Sequence, residues 1–215
     1  MVKQLVLLFG PTIMIILGLP ILQNVPITFL FFYGWLLLIP IVVSFRRKNR
    51  NRFFVPQPKS SLTVGIISGI ICLIAIYGFF YLFQSLVIDR ENLSTLLVQW
   101  DFTGSKVILL VFFLILVNPI LEELYWRRFM YDRLYPRLGS TFTILITSFF
   151  YSLYHLVVVM PIFNSPFHIL AAMIVFLAGI MWGIFRSKFH TIVPSIVSHS
   201  LADLGIMLVY LFIIL

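Results

Sequence analysis

Acidic residues are scarce in this chain: 7 Asp and Glu stand against 15 Lys and Arg in 215 residues. Cysteine is scarcer still, with Cys72 alone, so an intrachain disulfide is excluded and nothing about redox compartment follows. Charged residues make up only 10% of the chain and hydrophobic ones 61%, with a mean hydropathy of +1.10. That balance excludes an ordinary water-soluble domain and points to an all-α, polytopic transmembrane helical bundle. The net charge of +8 would suggest a nucleic-acid partner in a soluble protein. Here the basic residues flank apolar runs, so anionic lipid headgroups are the expected partners and nucleic acid is not. No small-residue cleavage site follows the first apolar run, which is long enough to remain as an anchor.

Apolar runs long enough to cross a bilayer fall at about 5–22, 26–45, 63–88, 107–130, 141–160, 167–185 and 192–215. The seven spans are joined by connections too short to hold a second core, so residues 1–215 are expected to form one integral-membrane domain. Placing the N-terminus inside and the C-terminus outside puts thirteen of the fifteen basic residues on the cytoplasmic side. Only Arg90 and Lys106 are left outside. The run Arg46-Arg47-Lys48-Asn49-Arg50-Asn51-Arg52 is the clearest marker of that side. Gly65 and Gly69, and again Gly179 and Gly183, are four apart and suit close helix contact. The outer connection 89–106 mixes acids with Leu96, Leu97 and Trp100, as a short interfacial helix does. Tyr125, Trp126, Tyr131 and Tyr135 read most simply as interface aromatics.

Against this background one stretch stands out, Asn118-Pro-Ile-Leu-Glu-Glu-Leu-Tyr-Trp-Arg127. Two adjacent carboxylates lie where the hydropathy is still membrane-like, at an insertion cost of roughly 2.5–3.5 kcal/mol each. Glu123 and Arg127 are four apart on one helix face and can pair. Glu122 points about 100° away and needs another partner. Pro119 leaves the carbonyl of Ile115 without its usual donor, a local opening just before the acids. The later apolar spans offer His155, His199 and Asp203 as partners, with His199 and Asp203 on one face of the last span. His168 and His190 sit at span edges and are assigned no role.

A carboxylate in apolar surroundings is a stronger base than one in water, and so suits proton abstraction from a water molecule. A nearby imidazole can hold that water, and a further polar pair can stabilise the oxyanion that water attack creates. Glu122, His155, His199 and Asp203 can fill these roles, with Glu123 and Arg127 bracing the helix. No serine or cysteine is placed as a nucleophile, and the helical H-E-x-x-H zinc signature is absent. A zinc ion held by Glu122, His155 and His199 remains open as a cofactor. Each element also has a plain structural reading: an ion pair at a helix end, or a histidine bonding between helices. The combination on three spans favours a hydrolytic site. A proton-coupled carrier is the rival reading for intramembrane acids, though no internal repeat supports it.

The same residues carry a family resemblance. The Glu122-Glu123…Arg127 element, then Tyr151-Ser-Leu-Tyr-His155, then His199-Ser-Leu-Ala-Asp203, resemble the CAAX prenyl protease type 2 and bacteriocin-processing (CPBP, or Abi) family of intramembrane proteases. The resemblance covers about residues 107–204 as a protease-like core. It implies a helical bundle with a cavity open to the cytosol and an active site in the cytoplasmic half. It also implies hydrolysis of a peptide bond in a membrane-associated peptide or protein substrate. Members are often described as metalloproteases, and a non-catalytic immunity or regulatory protein of the same architecture is the alternative. By the resemblance Glu122 and His155 activate water, while His199 and residue 203 stabilise the oxyanion. Two positions depart from the family: Tyr151 where phenylalanine is usual, and Asp203 where asparagine is usual.

Overall fold

The computed structural model describes residues 2–45, 59–104 and 107–215, all of its long elements helical. The basic run from Arg46, and with it the lipid contact expected there, lies outside the described residues. So does Lys106. Helix α1 covers Val2–Ile16 and ends in a π-helical turn, Leu17–Ile21. Helices α2 (Val25–Phe45) and α3 (Lys59–Val87) come next. Helix α4, Arg90–Gln99, is a short helix in the connection 89–106, where the sequence led to one being expected. Asp89 caps it by accepting from the backbone N–H groups of Glu91 and Asn92, and Leu93 and Leu97 are its buried residues.

Helix α5 runs from 107 to 130 and alternates between two registers. It is α-helical over Val107–Phe112 and Asn118–Glu123, and π-helical over Phe113–Val117 and Leu124–Met130. The opening expected ahead of the acids takes this form: Pro119 has no N–H to give, and the N–H of Asn118 reaches back five residues to the carbonyl of Phe113. Helix α6, Tyr131–Val159, continues without a loop but breaks at Gly139, where φ is +69° and ψ is 179°. Only glycine takes up that conformation without strain. The break turns the chain back on itself: Tyr154 and Glu122, 32 residues apart, are hydrogen-bonded at 2.9 Å. In a straight helix they would be about 48 Å apart. Helices α7 (Phe167–Phe189) and α8 (Val193–Val209, extended by a π turn to Ile214) complete the bundle.

Among the described residues, six helices are long and apolar enough to cross a membrane. One of them spans Val107–Val159, and Gly139 divides it into two passes, so the seven spans read from the sequence are accounted for. The chain is a multi-pass membrane protein. Its outer surface carries the large apolar side chains that lipid would cover, Leu30, Ile74, Leu109 and Phe142 among them. The polar residues Ser195, Ser198, His199, Glu122 and Glu123 are buried inside.

Close helix contact falls where the glycine spacing predicts. Helices α3 and α8 pack along Gly65 and Gly69. A β-carbon at Gly65 would lie 2.7 Å from the carbonyl oxygen of Pro194. Tyr125 and Trp126, however, are not interface aromatics: both are fully buried, and Tyr131 is nearly so, while Tyr135 remains half-exposed. They lie one turn below the acids in the middle of the bundle, where the Tyr125 hydroxyl donates to the Leu7 carbonyl at 2.6 Å and accepts from Trp35. Gly65→Ala is therefore expected to cost about 1–3 kcal/mol through overpacking against backbone. Gly78→Ala on the same helix, where the β-carbon meets nothing within 4 Å, should be neutral or slightly stabilising. Thermal unfolding of the two purified variants in detergent checks the contrast.

Candidate active site

The site is built on α5, α6 and α8, with α2 and α7 supplying its walls. Its base is the ion pair expected at spacing four: Arg127 Nη1 donates to Glu123 Oε1 at 3.0 Å, and both side chains are at most 1% exposed. The guanidinium is held further than the pair alone requires. Its Nη2 donates to the Gly179 carbonyl at 3.3 Å, and its central carbon lies 4.4 Å from the ring centre of Tyr151 and 5.3 Å from that of Trp182. Gly179 leaves room for that approach, since a β-carbon there would come within 3.1 Å of the guanidinium.

Glu123 also receives His199. The imidazole Nδ1 lies 3.2 Å from Glu123 Oε1, and a carboxylate can only accept, so Nδ1 carries the proton. Its Nε2 faces a second set of groups: the Tyr151 hydroxyl at 3.3 Å, and Glu122 Oε2 and Asp203 Oδ2 at 3.6 Å each. Trp182 stacks on the ring at 4.2 Å and 18°, and itself donates to Ser198. His199 thus stands between all three carboxylates of the site.

Glu122 is 2% exposed. The Tyr154 hydroxyl donates to its Oε1 at 2.9 Å, and its Oε2 has no hydrogen-bond partner among the described residues. His155 follows Tyr154 on α6. Its Nδ1 is 2.8 Å from the Tyr151 carbonyl, which only accepts, so the ring is the Nδ1–H tautomer and its Nε2 carries a lone pair. The structure therefore brings Glu122, Glu123, Arg127, His199 and Asp203 into one connected cluster. His155 joins it through Tyr151 and Tyr154, on whose rings it packs at 4.6 and 4.5 Å.

A cavity of about 210 Å³ reaches Glu122, Tyr154 and His155 from the α1–α2 side. Asn118 and Tyr33 line it beside the acid, and Val25 and Trp100 line its far end. It therefore extends toward the turn between α1 and α2, the end that the charge bias assigns to the outside. The resemblance implies a cytosolic mouth instead. On the other side of Glu122, toward the end of α5, Tyr125, Trp126 and Met130 are packed without exposed surface.

Several of these residues carry no signal in the sequence. Tyr33, Tyr154 and Trp182 are aromatics in aromatic-rich spans, and only the packing distinguishes them from the others. Asn118 could have been found, being a polar residue on the Glu122 face of an apolar span, four positions before the acid.

The donor set does not suit zinc ligation by Glu122, His155 and His199. Among the described residues no three His, Cys, Asp or Glu side chains form a group that could hold a metal ion. The Nε2 edge of His199 faces the Tyr151 hydroxyl and two carboxylates rather than open space.

Residues 104–205 match the family model described as Type II CAAX prenyl endopeptidase Rce1-like, in agreement with the resemblance to CPBP proteases. No curated relative and no solved structure matches the chain. The matched stretch holds Glu122, Glu123, Arg127, His155, His199 and Asp203 but not Tyr33.

Removing one side of the buried pair leaves a charge without its partner. Arg127→Met is expected to cost about 3–5 kcal/mol and to lower the yield of folded protein. Arg127→Lys should recover only part of the loss, because a single ammonium cannot reproduce the fork that bonds both Glu123 and the Gly179 carbonyl. Thermal unfolding and monodisperse yield after purification measure both.

Proposed function

We propose that this protein is an intramembrane endopeptidase that hydrolyses a peptide bond of a membrane-associated peptide, with Glu122 as the base. The observation that carries the reading is that Glu122 and His155 line one cavity, while Glu122 Oε2 accepts no hydrogen bond among the described residues and has His199 Nε2 3.6 Å away. Two lone-pair acceptors facing one water can hold both of its hydrogens and aim its oxygen outward. The family match supports the reaction class, since the model it meets describes endopeptidases.

The chemistry balances with this chain's own groups. Glu122 takes a proton from the water as its oxygen bonds to the carbonyl carbon, and the C=O π pair moves onto the carbonyl oxygen. Collapse of that oxyanion restores the double bond and expels the amine, which takes the proton back from Glu122. The products are a carboxylic acid and an amine. Tyr154 fixes the carboxylate by its bond to Oε1, leaving Oε2 for the proton. Tyr151 fixes the His155 tautomer through its carbonyl, so Nε2 accepts from the water. Glu123 and Arg127 hold α5 in register and seat His199 beside the reacting groups. No step is routed through a metal.

The test uses purified protein in liposomes with fluorogenic peptides: a farnesylated peptide ending in the CAAX pattern, and an unmodified hydrophobic set. Wild-type protein is expected to cleave at least one of them. Glu122→Gln keeps the shape and the Tyr154 bond but cannot take a proton, so kcat should fall by about 10²–10⁴ with the unfolding temperature nearly unchanged. Strong chelators should leave the wild-type rate intact. Full activity in folded Glu122→Gln protein overturns the role of Glu122. No cleavage of any peptide by folded wild-type protein favours a non-catalytic membrane protein of the same architecture.

A further inference from the structure

The resemblance implies that an asparagine amide at position 203 stabilises the oxyanion, and this chain has an aspartate there. An ionised aspartate offers no donor, and its charge opposes the developing negative charge. Asp203 has a different partner in the structure. Its Oδ2 accepts a hydrogen bond from Nδ2 of Asn118 at 3.1 Å, and Asn118 Oδ1 accepts from the Tyr33 hydroxyl at 3.0 Å. The chain Tyr33–Asn118–Asp203 runs from α2 through α5 to α8. Its polarity is set by its members, because a carboxylate accepts and so the amide nitrogen must be the atom turned toward Asp203.

That arrangement leaves an amide at the right place. Asn118 is 8% exposed and lies four residues before Glu122, on the same helix face. Asn118, Glu122 and His155 line one cavity, whereas Asp203 is not among its lining residues. An amide nitrogen carries two hydrogens, and hydrogen bonds among the described residues use one of them, on Asp203. Accepting from Asn118 at one end and donating to it at the other, Asp203 and Tyr33 fix the amide plane before any substrate arrives, which is the preorganisation an oxyanion site needs.

We propose that Asn118 supplies the oxyanion-stabilising amide of this protein, with Asp203 and Tyr33 as the positioning residues that orient it. The donor has moved from position 203 on α8 to position 118 on α5, and the carboxylate has taken the place it left. This rests on the endopeptidase reading, and adds to it that the side of the carbonyl facing α5 carries the oxyanion. As the tetrahedral carbon forms, the charge collects on oxygen within reach of the free amide hydrogen, while Glu122, one turn further along, holds the proton taken from water.

The experiment compares wild type, Asn118→Ala, Asn118→Asp, Tyr33→Phe and the exchange of Asn118→Asp with Asp203→Asn. All are reconstituted in liposomes and assayed with the farnesylated fluorogenic peptide and the unmodified set. Asn118→Ala should lower kcat by about 10²–10³, the loss typical of one oxyanion donor, with KM within about threefold of wild type. Tyr33→Phe should lower kcat several-fold without moving KM or the unfolding temperature, which a merely structural tyrosine would not do. Asn118→Asp sets two carboxylates face to face and removes the donor, so it should be inactive. The exchange restores an amide–carboxylate pair but leaves the amide at 203, outside the cavity, so it should recover the unfolding temperature and yield without recovering kcat. A folded Asn118→Ala protein with wild-type kcat overturns the proposal, and so does an exchange variant that recovers kcat to within about tenfold of wild type. If Asn118→Ala does not fold, the comparison of Asn118→Asp with the exchange decides. Wild-type protein that cleaves none of the peptides overturns the endopeptidase reading itself, and the role of Asn118 with it.

Discussion

Glu123 is the acceptor on which the interior converges. One carboxylate oxygen receives Arg127 from one turn along its own helix and His199 from α8. Charges in an apolar bundle persist only when paired, and here the pairing is also what ties the helices together. Arg127 reaches onward to the Gly179 carbonyl on α7 and lies against Tyr151 on α6. A single ion pair thus touches four helices. The neighbouring acid, Glu122, lines a cavity, and one of its oxygens accepts no hydrogen bond among the described residues. The two carboxylates are adjacent in sequence, and the helix turns one toward Arg127 and the other toward Tyr154.

The irregular backbone of α5 serves the same end. Its two π-helical stretches bracket the α-helical segment Asn118–Glu123. Each π turn widens the helix and rotates the residues beyond it, so the acids and Asn118 face inward over a short span while Tyr125 and Trp126 fill the bundle centre below them. Proline at 119 removes the donor that would have kept a regular α-helix. The cavity then runs from this segment toward the α1–α2 turn, with packed aromatics closing the other direction.

The departures from the family pattern acquire a common explanation. Tyr151, in place of phenylalanine, brings a hydroxyl to His199 Nε2. Asp203, in place of asparagine, accepts from Asn118. Each substitution adds a polar group to a site that must satisfy it internally, and each finds a partner within the described residues.

The features that the sequence alone determined are those that one-dimensional chemistry can carry. Hydropathy placed the seven spans, and i,i+4 spacing placed Glu123 with Arg127 and His199 with Asp203 on shared faces. Pro119 marked the irregular turn, and Gly65 and Gly69 marked a face of α3 suited to close helix contact. These are properties of single helices, and helical periodicity transmits them. The tertiary structure alone decided which helices meet. Nothing in the spacing shows that Gly139 folds Tyr154 back onto Glu122, or that Tyr125 and Trp126 sit in the core rather than at the interface. The link from Asp203 to Asn118 and on to Tyr33, 85 residues away at each step, was equally hidden. A helix fixes the direction of its side chains about its own axis, but its rotation toward a neighbour is set by packing, and in a chain this apolar many faces could have turned inward.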